Sequence, residues 1–144
     1  MNMQDDGMAS VGTRVLVVDD HYIMRRGLTE LLGQQPNFTV GAAVNSAEDA
    51  LEIARREHFD LAIVDISLGW MDGIELTDRL KREHAELIVL ILSMHEEQQY
   101  ADRALRAGAS GFVAKQQAGE KLLDAVRQVL RGEQYFSHIS KHPG

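Results

Sequence analysis

Apolar residues along the chain follow two rhythms, short unbroken runs and stripes spaced three and four apart, and the two alternate. The runs are Val15-Leu16-Val17-Val18, Leu61-Ala62-Ile63-Val64, Leu87-Ile88-Val89-Leu90-Ile91-Leu92 and Phe112-Val113-Ala114. Each can bury both of its faces, which suits a strand inside a parallel sheet. A further strand is predicted over Phe38 to Val44, and the first is taken from Arg14. Between the runs lie helical stripes. Ile23, Gly27, Leu28, Leu31 and Leu32 form the first, ended by Gly33 and Pro36, and Ala47, Ala50, Leu51 and Ala54 form the second behind Ser46 as N-cap. Asp72 with Glu75 resembles a capping box ahead of a third helix over Ile74 to His84. A fourth is predicted around Gln98 to Ala107, broken by Gly108-Ala109-Ser110-Gly111. The last, about Gly119 to Arg131, carries Leu122, Leu123, Val126, Val129 and Leu130 before Gly132.

Strand and helix alternate five times, so the strands must run parallel with right-handed crossovers and helices on both faces. A three-layer α/β sandwich with a five-stranded parallel sheet follows. Residues 1–12 read as a flexible leader, 13–132 as one domain, and 133–144, with too little periodicity for an element, as a tail or the start of a linker to an absent output domain.

Composition narrows the function. The 144 residues are 44% hydrophobic and 26% charged, the balance of one globular domain. Fifteen basic against 22 acidic residues leave a charge of −7, which repels a nucleic-acid backbone. Absence of cysteine excludes disulfides and thiolate metal sites. The acidic start, Met1-Asn2-Met3-Gln4-Asp5-Asp6-Gly7, has no apolar core and no run is long enough to cross a bilayer, so a cytoplasmic protein is expected.

Chemistry enters where the runs stop. They end in Asp19-Asp20, Asp65, Ser93 and Lys115, and in an open α/β sheet the carboxyl ends of the strands are where ligands bind. Clustered carboxylates repel and raise each other's pKa unless a cation sits among them. Oxygen donors without Cys or paired His suit a hard ion, Mg²⁺ first. With a lysine and a hydroxyl at neighbouring strand ends, the set fits phosphoryl transfer. Singly, each residue has a plainer reading: adjacent acids are common in turns, Ser93 can cap a helix, Phe112 can be core, and a lone lysine is usually on the surface. Convergence on one sheet edge is what gives them weight. Of the six histidines, His21 and His95 are expected at the site rim, while His138 and His142, beside Pro143, read as a solvated tail.

Taken in order, Val17-Val18-Asp19-Asp20-His21, Val64-Asp65-Ile66-Ser67, Met71-Asp72-Gly73-Ile74-Glu75-Leu76, Leu92-Ser93-Met94-His95 and Gly108-Ala109-Ser110-Gly111-Phe112-Val113-Ala114-Lys115 resemble the receiver domain of two-component response regulators. The lack of Pro after Lys115 and the ending Arg131-Gly132-Glu133-Gln134-Tyr135-Phe136-Ser137 resemble the NarL/FixJ (LuxR-type) branch, whose usual helix-turn-helix output domain is absent from this chain. The resemblance implies a flavodoxin-like doubly wound fold and a phosphoacceptor role, rather than an enzyme's, for Asp65, supplied by a sensor histidine kinase. It further implies Mg²⁺ held by Asp20, Asp65 and the main-chain carbonyl of Ser67, with Asp19 acting largely through metal-bound water. Lys115 and Ser93 would meet phosphoryl oxygens, and Ser93 with Phe112 would form the switch. The expected output surface is the fourth helix, fifth strand and fifth helix, with a homodimer as one use and DNA reached only through an output domain.

Two features depart from the family pattern. Gly69-Trp70 stands where Pro-Gly is frequent, and Phe112 replaces the commoner Tyr, removing a hydroxyl. The irregular loop keeps open a receiver that works as a phosphorylation-independent platform. A Mg²⁺-dependent phosphohydrolase is the other alternative, although the chain lacks the insertion expected to hold a substrate.

Overall fold

Alternation of side chains across each strand sorts the apolar runs into two layers. In the computed structural model, which describes residues 12–69, 71–94 and 98–136, the elements are β1 (Thr13–Val18), α1 (Tyr22–Gly33), β2 (Phe38–Val44), α2 (Ala47–Arg56), β3 (Leu61–Asp65), α3 (Gly73–Glu83), β4 (Ile88–Ser93), α4 (Gln98–Ala107), β5 (Gly111–Ala114), a 3₁₀ turn (Lys115–Gln117), α5 (Ala118–Leu130) and β6 (Tyr135–Phe136). Leu16, Val18, Ala62, Val64, Val89, Ile91 and Phe112 pack toward α2, α3 and α4. Val15, Val17, Leu61, Ile63, Leu90, Leu92 and Val113 pack toward α1 and α5. The result is the expected three-layer sandwich.

All strand pairs are parallel, in the order β2-β1-β3-β4-β5-β6. From β1 the chain moves outward to β2, then crosses back to β3 on the other side. The crevice between the carboxyl ends of β1 and β3 is therefore the topological switch point, where open α/β sheets take ligands.

Two expectations need correction. The sheet has six strands rather than five, because Tyr135 and Phe136 pair with Gly111 and Phe112. A two-residue strand is too short to carry a periodicity, which is why the segment reads as tail. The face of α1 is also displaced: Ile23 is 78% exposed and Gly27 is exposed, while Leu28 and Leu32 are buried and Met24 and Leu31 pack beside them. Met24, Leu28, Leu31 and Leu32 lie at i, i+4, i+7 and i+8, a truer helical face than one beginning at residue 23. The other stripes match their expectations. Ser46 caps α2 by accepting from Asp49 N–H, and Asp72 caps α3 by accepting from Glu75 N–H.

Candidate functional site

Three loops leave the carboxyl edge of the sheet and meet over the switch point. The first follows β1. Asp19 N–H donates to the Val44 carbonyl (3.1 Å), which ties the loop to β2, and Asp19 Oδ1 accepts from His21 N–H at 2.8 Å. Arg25, from the first turns of α1, donates to the Asp19 carbonyl at 2.9 Å. Backbone and side chain of Asp19 are thus both held, and the residue is fully buried.

The second loop follows β3. Ile66 N–H donates to the Leu92 carbonyl (2.9 Å), and Gly73 N–H donates to the Ile66 carbonyl (2.7 Å), folding α3 tightly against the strand end. Gly73 is required there, since a Cβ would collide with the Asp65 carbonyl oxygen and lie 2.8 Å from Ile66 Cα. Gly69 turns the loop with φ +88°, a left-handed conformation that glycine adopts without strain. Trp70 lies outside the described residues, as do His95, His138 and His142.

The third loop begins at Lys115, which enters the 3₁₀ turn after β5 with its side chain only 7% exposed. Its Nζ stands 3.1 Å from Asp65 Oδ2, 3.2 Å from Asp19 Oδ2 and 3.1 Å from His21 Nδ1. Asp19, Asp20, His21 and Asp65 each offer one donor atom, all within 4.8 Å of one another. The sequence-predicted Asp19, Asp20, Asp65 and Lys115 are thereby brought together from three strand ends.

Electrostatics at this edge are unbalanced. Burial, followed by the charge of Asp19, pushes the Asp65 carboxyl above the ordinary aspartate range, and Lys115 and the Ser67 N–H pull it back only in part. Asp19 Oδ2 is buried and accepts no hydrogen bond, for the Lys115 ammonium lies close enough to attract it without being aimed at it. Three carboxylates facing one ammonium, with one buried oxygen still short of a partner, are a donor set that a divalent cation fits.

The remaining predicted residues lie around this centre. Ser67 N–H donates to Asp65 Oδ1 at 3.3 Å, so Ser67 adjoins the carboxylate. Ser93 is fully buried at the end of β4, one position beyond Leu92, the register partner of Asp65. Phe112 is fully buried in β5, and its ring stacks on Phe136 of β6 with centroids 6.5 Å apart. Sequence reasoning left His21 at the rim, whereas its Nδ1 reaches into the cluster. The signal was its place directly after Asp19-Asp20 at the strand end.

The family description for the response regulator receiver domain matches residues 15–127. The chain belongs to that family. Receiver domains are the phosphorylation-based signalling modules of two-component systems rather than turnover enzymes. Among curated relatives, the receiver is 31% identical over 123 residues to the transcriptional regulatory protein DegU of Brevibacillus brevis, covering 85% of this chain and 52% of DegU. It is 33% identical over 124 residues to the response regulator GacA of Pseudomonas aeruginosa, covering 86% of this chain and 58% of GacA. The chain therefore spans little more than half the length of these relatives. Among solved structures, a two-component response regulator of the LuxR family from Aurantimonas sp. SI85-9A1 superposes with TM-score 0.86 at 31% identity, covering 90% of this chain and 94% of that one. That likeness agrees with the LuxR-type branch suggested by the sequence. No helix among the described residues is long and apolar enough to cross a membrane.

Proposed function

We propose that this receiver accepts a phosphoryl group on Asp65 from a phosphohistidine of a sensor histidine kinase in the cytoplasm. The observation that carries the reading is the buried Lys115 ammonium held between Asp65 and Asp19 at the switch point of the sheet. A carboxylate oxygen of Asp65 attacks phosphorus, the P–N bond breaks, and the imidazole nitrogen keeps the electron pair and takes a proton from water. Lys115 neutralises one phosphoryl oxygen, and the Ser93 hydroxyl donates to another. Asp20, Asp65 and the Ser67 carbonyl, with Asp19 acting largely through bound water, would hold Mg²⁺, which when bound offsets the charge on the phosphoryl oxygens.

Phosphorylation adds charge and acceptors at a strand end, and a hydroxyl drawn toward them biases the β4–α4 loop between two packings. Ser93 and Phe112 are the switch in this reading, and α4, β5 and α5 form the protein–protein or dimerisation surface that responds. Control of transcription is the proposed consequence, and DNA is met only through an output domain that these 144 residues do not include.

Incubation with acetyl phosphate and Mg²⁺ followed by mass spectrometry tests the assignment. One phosphoryl adduct on Asp65, lost in Asp65→Asn, is expected. No adduct under any condition would favour the phosphorylation-independent platform, and steady turnover of a small phosphate ester would favour a phosphohydrolase.

A further inference from the structure

We propose that β6 is a latch on the phosphorylation site: Phe136 holds the Phe112 ring in the core, so that pairing of β6 with β5 and phosphorylation of Asp65 favour each other. This deepens, and rests on, the reading of Asp65 as phosphoacceptor and of Ser93 and Phe112 as the switch.

A row of register partners joins the two places. Val18 pairs with Val64, Val64 with Ile91, Ile91 with Phe112, and Phe112 with Phe136. Register partners share one face of a sheet, and all five side chains belong to the layer under α2, α3 and α4. At its inner end the row lies directly beneath the site, because Val18 and Val64 immediately precede Asp19 and Asp65. Ser93, two positions beyond Ile91 on β4, belongs to the same face. The four inner members are fully buried. Phe136, half-buried, closes the outer end, its ring 6.5 Å from that of Phe112 and inclined to it by 15°.

The strand that supplies this end is built to come and go. It has two register pairs and lies at the edge of the sheet, so it can leave without disturbing its neighbours. Tyr135 N–H donates to the Ser110 carbonyl at 2.9 Å, and the Gln128 side chain of α5 donates to the Gln134 carbonyl at 2.7 Å. Its two side chains clasp β5 from opposite sides, Tyr135 in the α1 and α5 layer and Phe136 in the other. With β6 in place the Phe112 ring has no open side to turn to, whereas without it the ring would lie at an open sheet edge. Drawing Ser93 to a phosphoryl group closes the β4–α4 loop over the site and leaves the room beside Ile91 to the buried ring. Phosphorylation and β6 pairing thus select the same position of Phe112, and two events that select one state strengthen each other equally.

Backbone hydrogen exchange of the whole chain with beryllofluoride, a phosphoryl mimic, in excess Mg²⁺ tests this. The Tyr135 amide reports on β6, and the Asp49 amide, bonded to Ser46 on α2, is the control. Beryllofluoride should slow exchange at Tyr135 by about fivefold or more and leave Asp49 within about twofold. Phe136→Ala should weaken beryllofluoride binding by the same factor, while Phe136→Tyr, which keeps the ring, should match wild type within about twofold. Exchange at Tyr135 that ignores beryllofluoride, equal slowing at Asp49, or equal binding by wild type and Phe136→Ala would each overturn the latch and leave the phosphoacceptor reading standing. Beryllofluoride binding that is absent, or that survives Asp65→Asn unchanged, would overturn that reading and the latch together.

Discussion

Asp65→Asn should make the metal-free protein more stable, although it removes one partner of a buried ion pair. The opposing charges nearly cancel. At an effective dielectric of about 20, Asp19 within 4.8 Å repels the Asp65 carboxylate by at least about 3.5 kcal/mol, and half-exposed Asp20 adds about half as much after solvent screening. Lys115 at 3.1 Å attracts it by about 5 kcal/mol on the same scale. What survives is the loss of hydration of a carboxylate only 1% exposed, which is the first cause of its raised pKa. Asparagine avoids that loss and keeps an oxygen to accept from Lys115. A gain of about 1–2 kcal/mol, or roughly 3–8 °C in Tm for a chain of this size, is expected.

The pH dependence gives the mechanism its sign. A carboxyl whose pKa is higher folded than unfolded is protonated in both states below about 3.9, so wild type carries no penalty there. As pH rises toward the raised value, the folded protein retains a proton that the unfolded chain has released, and wild-type stability falls; above it the difference is constant. Differential scanning fluorimetry of both proteins across this range should show Tm values that coincide in acid and diverge toward neutrality. Excess Mg²⁺, which binds the native carboxylates of wild type, should close the gap at neutral pH. An Asp65→Asn protein that melts at or below wild type in chelator-treated neutral buffer would refute the account of a crowded, cation-deficient site.

Lys115→Ala should destabilise the metal-free fold by about 3–5 kcal/mol in urea unfolding, since it leaves Asp19 and Asp65 buried without their ammonium, and added Mg²⁺ should restore part of the loss. Gly73→Ala should destabilise by at least about 2 kcal/mol, because the new methyl meets the Asp65 carbonyl and Ile66 Cα, backbone that cannot yield without moving β3; an unchanged denaturation midpoint would contradict the close approach. Ser46→Ala should lower stability by about 1 kcal/mol with no change in the urea m-value, through loss of the hydrogen bond that Ser46 Oγ accepts from Asp49 N–H.

How much of this was legible in the sequence depends on what each residue answers to. Val15 to Val18 and Leu61 to Val64 are buried on both sides, so their unbroken apolar runs announced central strands, and the polar residues ending them announced a shared edge. Caps were equally plain, since Ser46 and Asp72 act within three residues of themselves. Legibility failed where the deciding partner was remote. Ile23 looks like core until Met24 is seen to pack against the buried cluster in its place, and β6 exists because Tyr135 and Phe136 find an open edge of β5. Phe136 then stacks on Phe112, the residue the sequence singled out as a switch, so the strand that escaped detection is the one in contact with it. His21 is the sharpest case. Its neighbours along the chain place it beside an acidic pair, but only the fold brings Lys115, 94 positions away, to 3.1 Å from its Nδ1. A motif names the residues that converge; the remote contact decides which atom each presents, and the chemistry of this edge rests on that choice.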